Sequence, residues 1–386
     1  MFDRTAFGDL PPKHHLASWS ADRQLRYEAC LTRAGFEGPY TICYHEQRPQ
    51  ALRATGDVSS RSLTDAAAKR RDSSRRHYRT GEATAPAFPF WTTPLLHNVD
   101  LVLGCAQPSH PDTSYRINAG ADELWFVQSG GGRIRSVLGD LDFVRGDYVF
   151  LPKGLLYRLI PDAAEPQRYF HIECSGALSI PAHFRNPVGQ LRMDAPYCHR
   201  DFKRPQFVGP LDEGLREVWV KGGESYERFA YPHSPLDVVG WDGCVYPWAF
   251  PILNFQPRVG SVHLPPIWHG TFEARGALIC SFVPRPLDFH PQAVPCPYTH
   301  TSADVDEVLF YVAGQFSSRV GVGVGSLTHH PAGIPHGPHP GRYEESIGSQ
   351  RTEEVAVMLD CQSRLERTRA ASAIEDSDYD ASFSAG

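Results

Sequence analysis

The chain has 386 residues with 41% hydrophobic and 21% charged side chains and a formal net charge of −6. That length exceeds what one core normally supports, so two packed domains are the default expectation. The negative balance excludes a protein dominated by phosphate contacts, hence nucleic-acid binding; no apolar run suits a signal peptide or a bilayer span, so the expected location is cytoplasmic, without a membrane partner.

Glycine and proline, 33 of each, make about 17% of the chain against about 12% in average usage, which favours short strands, turns and an all-β architecture. The nine cysteines form no Cys-x-x-Cys pair and read as reduced thiols.

Residues 1–90 read as an N-terminal extension or arm. Within them Ser20 could cap a short helix through Leu25 and Ala29 that Gly35 ends. The run from Lys69 to Arg79 is the most basic in the chain and reads as a solvated or intersubunit arm. Residues 91–185 form a first barrel. Glu123 opens an apolar strand that stops at Gly130, while Gly146 opens another that breaks at Pro152 and Gly154 before Tyr157. Gly139-Asp140, between two strand-like runs, suits a two-residue hairpin turn. Residues 186–250 connect this barrel to the next and carry Asp237-Val-Val-Gly-Trp241, an apolar strand ending in a turn.

Residues 251–362 repeat the pattern with different side chains. Glu307 is followed by Gly314, Gly325 by Pro331, Gly333 and His336, and His300 lies ahead of the glutamate. The spacings Glu-x6-Gly and Gly-x5-Pro-x-Gly-x2-His are the paired cupin motifs, and cupins are double-sheet jelly rolls, so the fold class is an all-β bicupin made by internal duplication. Neighbouring strands of such a barrel bring distant residues to one mouth. Two imidazoles and one carboxylate with open positions form the facial triad of non-haem Fe(II) chemistry, and the proposed ligands are His300, Glu307 and His336. A lone histidine is usually a hydrogen-bonded core or surface residue and a Gly/Pro cluster usually a turn. Three ligand types at three motif positions are harder to explain so, and eight of the 18 histidines fall between His263 and His339.

In the first repeat Arg116 takes the place of His300 and Tyr157 that of His336. Arginine has no acceptor, so that barrel is expected to be metal-free, a scaffold and an oligomer contact. Val320, Val322 and Val324 alternate with Gly321, Gly323 and Gly325, predicting a strand with one bare face, which leaves space for a ring or marks a bulge or tight contact. Thr352–Asp360 reads as the closing strand. Residues 363–386, with Glu375, Asp376, Asp378 and Asp380, read as a polar, disordered tail.

The Asp237–Trp241 segment, together with Tyr298-Thr-His-Thr, Asp306-Glu-Val-Leu-Phe-Tyr-Val and Gly333-Ile-Pro-His-Gly-Pro-His-Pro-Gly341, resembles the homogentisate 1,2-dioxygenase family over roughly Tyr40 to Asp360, most closely its shorter bacterial members. The resemblance implies an Fe(II)-dependent, extradiol-type dioxygenase that opens the ring of a hydroxylated aromatic acid, homogentisate- or gentisate-like, with O2. It carries the iron triad onto His300, Glu307 and His336 and the acid/base histidine onto His263, with His269 as the other register. Substrate contacts fall on His330, His336 and Phe316. The family's well-characterised members have a tyrosine at that last position; a phenyl ring cannot make its hydrogen bond, so the named substrate does not follow.

A phenolate and an adjacent carboxylate or carbonyl would chelate Fe(II), with His263 as proton acceptor and no organic cofactor. Hydrogen bonds that fix the ligand histidines could come from His329, His330 or Glu344. The alternatives are another metal-dependent cupin oxygenase or isomerase that leaves the ring intact, and a binding or scaffold protein. A homo-oligomer is expected from the habit of cupins to pair.

Overall fold

The strands that carry the two motif pairs are short, largely apolar runs buried on both faces, and each finds an antiparallel partner. In the computed structural model, which describes residues 3–35, 38–64, 73–316 and 318–384, the first barrel is built from two seven-stranded sheets. One runs in the spatial order Trp248–Pro251, Asp147–Leu151, Asp122–Ser129, Arg168–Cys174, Leu101–Ala106, Thr93–His97 and Glu366–Arg367. The other runs Gly139–Val144, Gly131–Ser136, Tyr157–Pro161, Tyr115–Asn118, Glu217–Gly222, Ser225–Ala230 and Arg53–Ser60.

The second barrel is less regular. Its six-stranded sheet runs Gly270–Ala274, Ala277–Phe282, Val355–Cys361, Asp306–Ala313, Ser326–His330 and Arg76–Arg79, and a ribbon pairs Arg285–Pro286 with Arg351–Thr352. A fourth sheet orders Thr5–Gly8, Val238–Gly243, Tyr40–His45 and Tyr27–Thr32. The barrels share one core: the Phe310 ring stacks on Phe170 at 4.8 Å between centroids and meets Phe126 edge-on at 6.4 Å. Such aromatic pairs add to the stabilisation from area buried.

The duplication is visible bond by bond. Asp122 accepts the backbone N–H groups of Lys153 (2.8 Å) and Leu178 (2.9 Å), and Asp306 accepts those of Ala332 (2.8 Å) and Leu365 (2.8 Å). Gly154 N–H donates to Asn118 O as Gly333 N–H donates to Ser302 O. Arg116 faces Tyr157 across antiparallel strands as His300 faces His336. In each half a buried carboxylate next to the motif glutamate thus pins the Pro-x-Gly turn beside it.

Several sequence expectations are corrected. Ser20 closes a tight turn with Gln24, and residues 27–32 form a strand paired with Tyr40–His45, whose buried face its side chains need. The hairpin turn falls at Val137-Leu138; Gly139-Asp140 already opens the next strand, where Gly139 pairs with Ser136. Residues 1–90 are not a separate arm: they supply an edge strand to each barrel and three strands of the four-stranded sheet. The segment 186–250 likewise places three strands in the first barrel's sheets, at 217–222, 225–230 and 248–251. The basic run lies partly outside the described residues, at 69–72, but its remainder includes the strand Arg76–Arg79. The Val/Gly alternation at 320–325 is a loop, with Val320 and Val324 exposed. Finally, the tail is packed: Arg369–Ala373 is helical and Ala371, Ile374 and Tyr379 are buried.

Burial pushes the Asp306 carboxyl up, but the His329 hydrogen bond and the two backbone donors hold it below the usual carboxylate range. Replacing Asp306 with Ala strands those donors, and is expected to destabilise the protein by about 3 kcal/mol. Thermal unfolding checks this, and an unchanged midpoint would refute it.

Candidate metal centre

Glu307 is the second residue of the strand Asp306–Ala313, where it lies directly opposite His330 on one side and Asp360 on the other. The period of two turns all three toward the barrel interior. His300 and His336 pair with each other through two mutual backbone hydrogen bonds of 2.9 Å, which brings their rings to 4.4 Å between centroids. One potential ligand atom from each of His300, Glu307 and His336 then lies within 4.8 Å of the others. His300 Nε2 and His336 Nε2 are each 3.8 Å from a Glu307 oxygen.

The far side of each ring decides which nitrogen faces the centre. His336 Nδ1–H donates to Ile334 O at 2.9 Å and His300 Nδ1–H to Tyr298 O at 3.3 Å, in both cases the carbonyl two residues back. That leaves an Nε2 lone pair on each imidazole. His336 Nε2 is buried and has no hydrogen-bond partner among the described residues, and burial lowers the His336 pKa, so the ring stays neutral. A buried orphan acceptor beside a second imidazole and a carboxylate is the donor set that suits Fe(II). Neither His329 nor Glu344 orients the ligand rings: His329 Nε2–H donates to Asp306 at 2.9 Å, and Glu344 is exposed.

Glu307 is buried, yet its acid is strong. Burial raises its pKa, but the His330 hydrogen bond, the nearby imidazoles and the Arg319 guanidinium outweigh this and hold it at about 2. His330 Nδ1–H donates to Glu307 Oε1 at 2.8 Å, Arg319 Nη2 lies 4.0 Å from the same oxygen, and burial drops the His330 pKa to about 3. Asp360, across the strand from Glu307, is raised to about 6 by burial and by the negative charge of Glu307.

A cavity of about 570 Å³ opens over the centre, lined by His263, His300, Glu307, Leu309, Met358 and the arginines at 285 and 319. His263 Nδ1 is 3.9 Å from Asp288, and its ring meets Tyr298 edge-on at 5.3 Å. Burial lowers its pKa and keeps it neutral. His269 lines the same cavity but is more deeply set, at about 3. The residues expected to contact substrate, His330, His336 and Phe316, do not line this cavity. His330 is fully buried behind Glu307 and does not line this cavity. Phe316 packs on Tyr311 at 4.7 Å and lines the neighbouring cavity instead. Arg285, Arg319 and Asp360 were missed by sequence reasoning; the two arginines carry no motif signal, whereas Asp360 sat at the end of a recognisable strand.

The first barrel brings Glu123, His171 and Glu173 within the same 4.8 Å. There, however, Glu123 accepts from Trp125 (2.8 Å), Tyr157 (2.9 Å) and Asn118 (2.9 Å), while Glu173 is held by Lys221 and Asn118. A cation would have to displace several donors, each costly to strand. Arg116 bonds Asp112 at 2.5 Å and packs under the rings of Trp91, Trp125 and Tyr157.

Residues 106–252 match the family model described as homogentisate 1,2-dioxygenase N-terminal. A protein of Saccharolobus solfataricus named "Putative dioxygenase" is 33% identical over 97% of each chain. Homogentisate 1,2-dioxygenases of Nitrobacter hamburgensis and Rhizobium rhizogenes are 25% and 28% identical over 60% and 61% of this chain and 53% of theirs. The chain thus spans about half the length of those enzymes. A cupin 2 barrel protein from Leptotrichia buccalis overlaps 74% of this chain and 96% of its own at 10% identity and a TM-score of 0.34. On the near full-length relationship and the matched family model, the chain belongs to the homogentisate 1,2-dioxygenase-like family.

Proposed function

We propose that this protein is an Fe(II)-dependent dioxygenase that opens the ring of a hydroxylated aromatic acid, homogentisate- or gentisate-like, with O2. The observation that carries the reading is the convergence of His300, Glu307 and His336, each imidazole presenting a free Nε2, under a cavity of about 570 Å³. That volume suits a single-ring ligand.

A ferrous ion held by the three side chains supplies Lewis acidity toward a phenol and redox chemistry toward O2. His263, neutral in the cavity wall, accepts the phenolic proton at one ring nitrogen. Leu309 and Met358 keep that side of the cavity apolar and exclude water. Arg285 offers a site for the acid group: its guanidinium bonds the Val283 carbonyl at 3.1 Å, has no carboxylate within ion-pair distance among the described residues, and is pushed down by burial. A half-buried cation whose acidic neighbours, Glu354 and Asp288, act only from beyond ion-pair distance gains from a bidentate carboxylate. Both atoms of O2 end in the opened product. The reading includes a cytoplasmic location, where iron stays ferrous, and assembly into a homo-oligomer.

Anaerobic loading should give about one Fe(II) per chain, and Glu307→Gln should cut iron affinity by roughly 100-fold while the fold survives. With gentisate-like, homogentisate-like and aminophenol compounds, oxygen uptake should match loss of ring absorbance; uptake with the ring intact would favour the cupin oxygenase alternative. Arg285→Met should raise KM for carboxylated substrates by roughly 10- to 100-fold, the loss of a charged hydrogen bond, and leave decarboxylated phenols nearly unaffected. Equal losses on both would remove Arg285 from that role. Because a base must be neutral and the His263 pKa is depressed by burial, kcat/KM should climb to its plateau below the pH typical of an exposed histidine. That acidic limb should vanish in His263→Gln.

A further inference from the structure

The last described residues fold back against the centre. Arg75 and Asp380 pair at 2.7 Å, Arg79 and Asp376 at 2.9 Å, and Glu375 is held by Arg76 and by Arg367. His77 adds a contact to Asp376 at 3.3 Å. Backbone bonds run from Asp376 N–H to His77 O (2.8 Å) and from Arg79 N–H to Ile374 O (3.0 Å). The segment therefore lies along the outer edge of the strand Arg76–Arg79, the last strand of the sheet that carries Glu307.

Beyond this clamp Tyr379 turns inward and is only 3% exposed. Its hydroxyl lies 3.3 Å from His330 Nε2, and its ring is nearly parallel to the His330 ring at 16°, which in turn lies at 21° to His336. The Glu307 carboxylate can only accept, so His330 Nδ1–H donates to it, and Nε2 on the other side of the ring faces the tyrosine hydroxyl. Further out, Phe383 packs on His339 at 3.9 Å and Ser382 Oγ bonds its Nε2 at 2.8 Å, closing the segment over the same group of rings.

We propose that the carboxy-terminal segment is a positioning strap for the metal centre, in which Tyr379 fixes the tilt of His330 so that His330 holds the Glu307 carboxylate toward the two ligand imidazoles. Tyr379 is a positioning residue: it touches neither cavity nor ligand atoms. The inference rests on the metal-centre reading above but does not depend on ring cleavage, and it can fail while that reading stands. Hydrogen-bond partners behind a ligand typically tune metal affinity by 10- to 100-fold.

The test uses full-length protein, stripped of metal and titrated anaerobically with Fe(II) and with Co(II), whose visible spectrum reports ligand geometry. Tyr379→Phe should weaken both metals by roughly 10-fold and shift the Co(II) bands, with the melting temperature of the metal-free protein little changed. His330→Ala should weaken binding further, and the double variant should bind no worse than His330→Ala alone, because the two residues act in series. Wild-type affinity and an unshifted spectrum in Tyr379→Phe would overturn the strap while leaving the triad intact, as would losses that add in the double variant. If His330→Ala does not fold, affinity and spectrum in Tyr379→Phe decide alone. No metal bound by the wild-type chain would overturn the triad and this inference together.

Discussion

The mutual pairing of His300 with His336 is the constraint on which the site depends. Two backbone hydrogen bonds of 2.9 Å fix both residues side by side, and each Nδ1–H is absorbed by a carbonyl two residues earlier. Neither ring can then satisfy its inner nitrogen locally. Burial disfavours protonation of His336, and the nearby Glu307 carboxylate is already bonded to His330. A buried acceptor left in this state is disfavoured in a folded protein unless something outside the chain completes it.

The first barrel shows what the same strand plan does when it is completed from within. Asp122 and Asp306 pin equivalent turns, and Glu123 and Glu307 follow them at equivalent points. Tyr157 in place of His336 supplies an O–H that closes on Glu123, and Trp125 and Asn118 take what acceptor capacity remains. The difference between a saturated polar core and a candidate cation site is thus made by which atoms face inward, while the backbone stays the same.

The convergence of His300, Glu307 and His336 was legible in the sequence because the motif spacing reports backbone geometry. Gly314, Gly325 and Gly333 adopt φ of +89°, +83° and +83°, and a Cβ at Gly314 would fall 2.2 Å from Glu353 O. Gly130, Gly146 and Gly154 show the same left-handed values in the first repeat. Such positions favour glycine, so strand ends, and with them the register of Glu307 and His336, can be placed from sequence. Loops carry no such rule. The Val/Gly run at 320–325 has the period of a strand but no pairing neighbour among the described residues, and Arg285 and Arg319 reach the cavity from a two-residue ribbon strand and a loop. Phe316 was placed by analogy with a tyrosine that contacts substrate; here it is drawn into the apolar cluster of Leu309, Tyr311 and Met358.

The two charged ends of the chain were misread for a shared reason. A basic run and an acidic tail each look solvated when taken singly, because composition cannot show that segments about 300 residues apart neutralise one another. Exposed ion pairs alone are weak, roughly 0–1 kcal/mol each, so charge does not by itself hold the tail. The burial of Ala371, Ile374 and Tyr379 adds apolar contact, and Arg76 is itself 5% exposed, which makes its bond to Glu375 costly to break from either side. The tail also covers the edge of a sheet whose last strand would otherwise expose unpaired backbone groups, a liability that proteins commonly mask. The barrel with the candidate centre is therefore completed by residues from near both ends of the chain, and its sheet edge and the support behind Glu307 are secured by one segment.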